Sequence, residues 1–207
     1  MLTMVRDRHY VSDCRKSINV LYDSKHQEFD KGDIIPQTNQ RLWLLKKGVV
    51  KTLTWSETGK TITLGYWGKG DVVGLPLSRL ATYEVQCLNT VEAICLPWEK
   101  CSYLFKEITN CVRQTDELLR IVRTEKMYER LSKLLVWLAQ KFGSEVSQGI
   151  AIDLRLTHHE LADLIGSTRV TVTRLLDRLD KEKIIDRPCR FSIVIRDFDL
   201  LEKRIRV

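Results

Sequence analysis

The 207-residue chain lacks any run of about 18 apolar residues, the length that a helix ordinarily needs to span a bilayer. Its first residues, MLTMVRDRHYVSDCRK, also lack the apolar core of a secretory signal. Hydrophobic residues make up 43% of the chain and charged residues 29%, which is ordinary for a globular protein. We therefore expect no membrane-spanning segment and a cytoplasmic location.

The cysteines lack the spacing of a metal site. Six are present, with no CxxC pair and no Cys/His pattern that suits zinc. A disulfide scaffold is not expected either, because the chain is long and cytosolic thiols stay reduced. Cys87 and Cys95 lie in strand-like runs, where a cysteine usually acts as a small buried hydrophobe. We predict structural thiols and no metal.

Signatures of catalysis are missing as well. No P-loop, GxSxG or HExxH motif occurs, and none of the four histidines neighbours a plausible nucleophile. His158 and Glu160 are close in sequence, but they stand at the start of a capped helix, where capping or a phosphate contact explains them. We therefore predict that the protein is not an enzyme.

A moderate excess of positive charge is present. The chain has 34 Lys and Arg against 27 Asp and Glu, a net charge of +7. Its isoelectric point is about 9.1. Such a balance favours a polyanionic partner without identifying one.

Residues 29–97 have the pattern of short strands. Apolar runs alternate with glycine and charged turn residues at intervals of roughly 8–12 residues. The stretch SETGKT has the composition of a hairpin loop, and after it Ile62, Leu64 and Tyr66 fall on one face of a strand. Many short strands with glycine corners predict a small antiparallel barrel or sandwich.

From Trp98 to Phe142 the chain contains no glycine and no proline, and its apolar spacing is helical. Two helices are predicted there, the second ending at Gly143 as a C′ residue. The following stretch, GSEVSQG, is predicted to be a loop, and a short strand within IAIDLRL comes after it.

The C-terminal part combines local signals that occur together in DNA-binding proteins. Thr157 and Glu160 form a capping box that opens a helix over 158–165. Gly166 and Ser167 then make a tight turn, a second helix begins at about Thr168, and IIDRPCRFSIVIRD supplies two strands. Helix, glycine turn, helix and two-stranded wing predict a winged helix-turn-helix.

The second of these helices has two distinct faces. One carries Val172, Leu175, Leu176 and Leu179 at the spacing of a buried stripe. The other is polar and basic, and it fits the major groove of DNA, with backbone N–H groups and hydroxyls at the helix start suited to phosphate oxygens. The candidate DNA-binding residues are Arg169, Val170, Thr173, Arg174, Thr168, Thr171, His158 and His159.

The stretch GIAIDLRLTHHELADLIGSTRVTVTRLL, residues 149–176, resembles the cyclic-AMP receptor protein and FNR family of bacterial transcription factors. Within that family it is most similar to the cyanobacterial nitrogen regulators. Glycine turns in DKGD, LLKKGVVK and GKGDVVG agree more loosely, so that the resemblance covers roughly residues 25–200.

The resemblance implies an α+β fold with four segments. They are an N-terminal segment (1–24), an antiparallel β-roll similar to cyclic-nucleotide-binding domains (25–103), a long dimerisation helix with the helix after it (104–142), and a winged helix-turn-helix (143–207). It also implies a homodimer that binds a palindrome in double-stranded DNA and acts on RNA polymerase, or represses by overlapping its site.

Particular roles follow from the same resemblance. Arg169 and Arg174 occupy positions that contact bases, and Thr168 and Thr171 occupy positions that contact phosphate. Val170 stands where the cyclic-AMP receptor has a glutamate that can accept from cytosine. Because valine can only pack on a thymine methyl, we predict the inverted repeat TGTA-N8-TACA rather than TGTGA half-sites.

Departures from the family bear on the effector. The β-roll stretch GLPLSRLATYEVQCL lacks the Arg-Ser pair and the glutamate that hold cyclic AMP, so cyclic AMP is not expected. Ala81 and Glu125 stand where arginines would bind 2-oxoglutarate, and the resemblance does not carry that ligand over. Only Cys14 lies in the N-terminal region where an iron–sulfur cluster needs several cysteines, so no cluster is expected.

The dimerisation helix is also predicted to be about three turns shorter than usual, which would remove part of the effector pocket. One alternative is a sensor that acts mainly through protein partners under ligand or thiol control. Cys101 and Cys111, beside the predicted dimer seam, would be its redox part. A simple packing role for these two thiols remains the competing explanation.

Overall fold

The computed structural model describes residues 26–189 and 191–205. The predicted N-terminal segment and Cys14 lie outside these residues. The described residues form two compact units, one of residues 26–52 with 66–111 and the other of residues 53–65 with 112–189 and 191–205. No helix in the described ranges is both long and apolar enough to cross a membrane.

The N-terminal half is built from short strands, as predicted. The strands are β1 His26–Phe29, β2 Arg41–Lys47, β3 Val50–Trp55, β4 Thr61–Trp67, β5 Val72–Val73, β6 Glu84–Cys87 and β7 Val91–Pro97. A four-stranded antiparallel sheet has the order β1-β7-β2-β5, and a three-stranded sheet has the order β4-β3-β6.

Strand β2 is apolar without alternation because both of its faces are covered. Trp43 and Leu45 pack into one core cluster with strands β5, β6 and β7. Leu42 and Leu44 pack into a second cluster that includes Cys111. A strand buried on both sides has a continuous hydrophobic run, which is what RLWLLKK shows.

Strand β4 departs from its expected burial. Tyr66 is fully buried, whereas Ile62 is 43% exposed and Leu64 is 38% exposed. The strand lies at the edge of the three-stranded sheet, and only its end reaches a core cluster, through Trp67. Alternation therefore identified the strand but not the depth at which each residue lies.

The predicted helical region contains a 3₁₀ segment and two α-helices. The 3₁₀ segment Trp98–Leu104 leads into α1, Phe105–Val122, and α2 follows as Met127–Phe142. Helix α2 buries most of its central turns, including Leu131, Leu134 and Leu138.

The prediction of a loop after α2 was wrong. Strand β8, Gly143–Val146, pairs with β9, Gly149–Ile152, so that GSEVSQG forms most of a hairpin. Gly143 is extended, with φ −92°, rather than left-handed. A Cβ built there would overlap the carbonyl oxygen of Ala139, so this glycine is required for close approach and not for positive φ.

The C-terminal elements follow the predicted order. Helix α3 is His158–Leu164, α4 is Arg169–Lys181, and strands β10 Ile185–Asp186 and β11 Val194–Ile195 form the wing. These two strands belong to a four-stranded sheet of order β10-β11-β9-β8. The α+β class with a C-terminal winged helix-turn-helix is therefore confirmed.

A last helix, α5 (Phe198–Ile205), was not predicted from the sequence. It packs against α2 and buries Leu201 completely. The side chain of Asp197 accepts a hydrogen bond of 2.7 Å from the backbone N–H of Leu200, as an N-capping residue does. That aspartate before an apolar pair was the signal available in the sequence.

Replacing Gly149 with alanine is expected to destabilise the protein by about 2–3 kcal/mol. Its φ is +136°, and a Cβ there would overlap the carbonyl oxygen of Ile195 across the β9–β11 pair. Gly59→Ala is the matched control, because Gly59 also has positive φ but has open space around it. Urea unfolding measures both. Equal losses for the two variants would contradict the steric explanation.

Candidate DNA-binding surface

The predicted capping box at the start of α3 is formed. The backbone N–H of Glu160 donates to the Thr157 hydroxyl at 3.1 Å, and the backbone N–H of Thr157 donates to the Glu160 carboxylate at 2.9 Å. Two otherwise unpaired donors at the helix start are thereby satisfied. The capping box fixes His158 as the first residue of α3 and so fixes the position from which its side chain extends.

The turn between α3 and α4 is held by backbone and side-chain bonds. Gly166 is left-handed, with φ +62°, and the N–H of Ser167 donates to the carbonyl of Ala162 at 2.8 Å. Arg130 of α2 donates to the carbonyl of Ile165 at 2.8 Å and also to the carbonyl of Thr124. Arg130 lies outside the motif and was not among the predicted residues, yet it stabilises this turn.

Helix α4 has the two faces that the sequence predicted. Val172, Leu176 and Leu179 are fully buried, and Leu175 is half-buried. On the opposite face Arg169 and Arg174 are exposed, and Val170 is 77% exposed. An exposed apolar side chain between two arginines is a surface able to contact both hydrogen-bonding and methyl groups.

The hydroxyls at the start of α4 have defined partners. Thr168 is the N-capping residue, and its hydroxyl accepts from the N–H of Thr171 at 3.2 Å and contacts the Thr171 hydroxyl at 3.0 Å. Thr168 is exposed and Thr171 half-buried. The remaining N–H groups of this first turn point out of the helix end, where an anion is favoured.

Thr173 supports the helix rather than extending freely from it. Its hydroxyl donates to the carbonyl of Arg169 at 2.9 Å, and Nδ1 of His158 lies 2.8 Å from the hydroxyl oxygen of Thr173. Because a hydroxyl has one hydrogen, His158 must donate through Nδ1, which leaves Nε2 as the acceptor in the neutral ring. The motif's first helix is thus tied to its second through His158.

The environment of His158 disfavours a positive charge on the ring. Burial, followed by the charges of Arg187 and Arg169, lowers the pKa of His158 below its ordinary value, and Asp177 opposes this. His159 is more exposed, and its Nε2 lies 3.5 Å from the carboxylate of Asp163. The two adjacent histidines therefore have different surroundings.

We expect acidification below about pH 6.5 to destabilise the fold through His158. A pKa lowered by folding contributes stability above the unfolded value, and that stability is lost as the pH falls toward the folded value. His158→Gln should therefore lose less stability between pH 7.5 and 5.5, by roughly 1–2 °C in Tm. Thermal melts measure the difference, with His159→Gln as control. An unchanged pH dependence in His158→Gln would contradict the assignment.

A cleft of about 770 Å³ lies beside the predicted contact residues. Its walls include the start of α3, the start of α4 and the wing residues that follow β10. Among the lining residues are Thr157, His158, Arg169, Arg187 and Ser192. The cleft thus collects cations, hydroxyls and a helix N-terminus on one side of the winged unit.

The wing is joined to α4 by Arg187, which the sequence reading did not select. Its Nη2 lies 2.7 Å from the carboxylate of Asp177 and 3.1 Å from that of Asp180. Both acidic residues belong to α4. The wing also contains an ion pair between Arg196 and Asp186 at 2.7 Å.

The described cysteines lie mainly inside the fold. Burial and then the charge of Asp33 raise the pKa of Cys87 to about 11, which keeps it a thiol. The Sγ of Cys111 lies 3.4 Å from both the N and the O of Val72. Cys101 is half-buried. Among residues 26–189 and 191–205, no three His, Cys, Asp or Glu side chains are grouped as metal ligands.

Known proteins share this organisation. Residues 129–204 match the family model of a Crp-like helix-turn-helix domain. The regulatory protein CysR of Synechococcus elongatus is 38% identical over 164 residues, covering 78% of this chain and 79% of that protein. A global nitrogen regulator of Nostoc is 33% identical over 163 residues, covering 70% and 73%.

A solved structure shows the same fold. The chain superposes on a CRP-family transcriptional regulator of Thermus thermophilus with a TM-score of 0.74 at 21% identity, covering 87% of this chain and 97% of the other. The relatives are transcription regulators rather than enzymes. The chain belongs to the cyclic-AMP receptor protein and FNR family and is a DNA-binding transcription regulator.

Proposed function

We propose that the protein acts as a homodimer that binds an inverted repeat resembling TGTA-N8-TACA. The observation that carries this proposal is the outer face of α4, where Val170 is 77% exposed between the exposed Arg169 and Arg174. A valine in the major groove can pack on a thymine methyl, and arginine pairs best with guanine. The half-site is therefore one in which a T·A pair follows a guanine.

Phosphate contacts orient the helix in the groove. Thr168 and Thr171 stand at the start of α4, and His158 and His159 at the start of α3. Hydroxyls, helix N-termini and the imidazole of His159 suit phosphate oxygens, whereas His158, whose neutral ring keeps only an acceptor at Nε2, can donate to a phosphate only when it is protonated. The hydroxyl of Thr173 already bonds to Arg169 and His158, so Thr173 contributes mainly through its methyl group and by positioning His158.

The dimer is supported by an apolar stripe on α1. Phe105, Val112 and Leu119 recur at heptad spacing and are 76%, 56% and 55% exposed. Apolar side chains seven residues apart form one line of a heptad stripe, through which a helix can pair with a second copy of itself. Such pairing would place two α4 helices on DNA about one turn apart.

The proposed dimer has three segments in each chain. They are a β-roll over 25–103, dimerisation helices over 104–142 and a DNA-binding domain over 143–207. The dimer would act in the cytoplasm, either by contacting RNA polymerase or by occupying a site that overlaps a promoter. Both modes require the same interface with double-stranded DNA.

Fluorescence anisotropy tests the proposal directly. Purified protein is titrated into TGTA-N8-TACA, a TGTGA palindrome and a scrambled duplex at one physiological salt concentration. Tight binding to the first duplex alone supports the proposal. A preference for TGTGA half-sites by more than a few fold contradicts the role of Val170. Equal weak binding to all three duplexes, both without and with 2-oxoglutarate, contradicts the proposed DNA sequence preference.

A further inference from the structure

Arg187 occupies an unusual place on the DNA-binding side of the winged unit. It lines the cleft together with His158 and Arg169, where a cation would be expected to face DNA. Its guanidinium is instead bonded to two carboxylates of α4. Nη2 lies 2.7 Å from Asp177 and 3.1 Å from Asp180, and Nε lies 3.3 Å from Asp180.

The carboxylates of Asp177 and Asp180 are exposed enough for their charges to act on a DNA molecule nearby. The Asp177 side chain is 46% exposed and that of Asp180 is 35% exposed, whereas Arg187 is 26% exposed. Asp180 itself lines the cleft. Two negative charges on the helix that would enter the major groove repel phosphate groups within about one Debye length, roughly 8–10 Å.

We propose that Arg187 is a positioning residue that masks Asp177 and Asp180, so that the recognition helix can approach duplex DNA without repulsion from its own acidic side. Its fork geometry suits this role because one guanidinium can bond two carboxylates at once. The inference rests on the proposed binding of DNA through this surface.

Masking differs from two other roles that Arg187 could have. If the ion pairs served only to hold the wing on α4, breaking them from either side would weaken DNA binding. If Arg187 contacted phosphate directly, its loss would cost the same affinity whether or not the aspartates were charged. Masking alone predicts that neutral aspartates make Arg187 dispensable.

The experiment compares four proteins: the wild type, Arg187→Gln, Asp177→Asn with Asp180→Asn, and the triple variant. Dissociation constants are measured by anisotropy on TGTA-N8-TACA and on a scrambled duplex at low salt. Arg187→Gln is expected to weaken binding to both duplexes by about tenfold. The double variant, which also leaves the Arg187 charge unpaired, is expected to bind both duplexes more tightly than the wild type, and the triple variant is expected to bind no more weakly than the wild type.

Two further variants serve as controls. Arg196→Gln removes one positive charge next to the same wing, but Arg196 pairs with Asp186 and does not line the cleft. We expect this variant to lose less than about threefold in affinity for DNA. Arg187→Lys keeps the positive charge but not the forked geometry, so it should weaken binding less than Arg187→Gln does. Thermal melts confirm that each variant is folded at the temperature of the titration.

Three results overturn the inference. They are a loss in the double variant as large as that in Arg187→Gln, an undiminished loss in the triple variant, and no loss in Arg187→Gln. Because phosphate repulsion acts on any sequence, the scrambled duplex reports masking independently of site preference. If the wild type shows no preference for TGTA-N8-TACA, the proposed DNA site is refuted. The comparison of the variants on the scrambled duplex still tests masking separately.

Discussion

Val170→Glu is expected to change the preferred half-site from TGTA to TGTGA. Glutamate accepts from the N4 amino group of cytosine, whereas valine offers only a methyl contact to thymine. Val170 is 77% exposed in the first turn of α4, so the longer side chain meets no packing restraint. Each preference is worth about 1–3 kcal/mol, so that the ratio of the two dissociation constants should change by about 25-fold or more.

Competition anisotropy with the two palindromes measures this ratio in both proteins. Val170→Ala is the control, because it removes most of the methyl contact without adding an acceptor; it should lose preference for TGTA without gaining any for TGTGA. Should Val170→Glu keep the wild-type preference, Val170 does not face a base pair.

Arg174→Ala gives a further check on the orientation of the helix. A base contact predicts a loss of about 1–3 kcal/mol on the preferred duplex and relaxed discrimination there. A loss of equal size on preferred and scrambled DNA would show that Arg174 contacts only phosphate.

Placing glutamates at Val112 and Leu119 is expected to abolish the dimer. Both side chains are more than half exposed on the apolar stripe of α1, so the change costs little in the isolated chain. In a paired helix the four carboxylates would be brought together in a dry seam. The monomer can occupy one half-site only, and affinity for the full palindrome should fall about 100-fold or more.

Sedimentation equilibrium measures the mass, and anisotropy measures binding to a whole palindrome and to a single half-site. Arg113→Ser with Arg120→Ser is the matched control, because these residues are also exposed, lie seven apart on α1 and alter the net charge by the same two units. That pair should stay dimeric. A dimeric glutamate variant would show that α1 does not form the seam.

Local signals account for most of the DNA-binding surface that was predicted. A capping box, a left-handed glycine and an N-capping threonine act between residues three or four positions apart, so Thr157, Gly166 and Thr168 could be assigned from the chain alone. Leucine spacing likewise indicated which side of α4 is buried.

Contacts between distant residues could not be assigned in this way. The bond from Arg130 to Ile165 and the pairing of Arg187 with Asp177 join residues 35 and 10 positions apart. No local pattern specifies which charges meet. The bond between the Thr173 hydroxyl and His158 likewise joins residues 15 positions apart.

By itself, the sequence determined the order of strands and helices, the winged helix-turn-helix and the exposed basic face of α4, because periodicity and capping are properties of neighbouring residues. Only the tertiary structure decided that Gly143 begins a strand, that Ile62 stays partly exposed and that Arg187 is held by two aspartates. These outcomes depend on which surfaces meet after the chain folds, and burial and charge pairing are set by those surfaces.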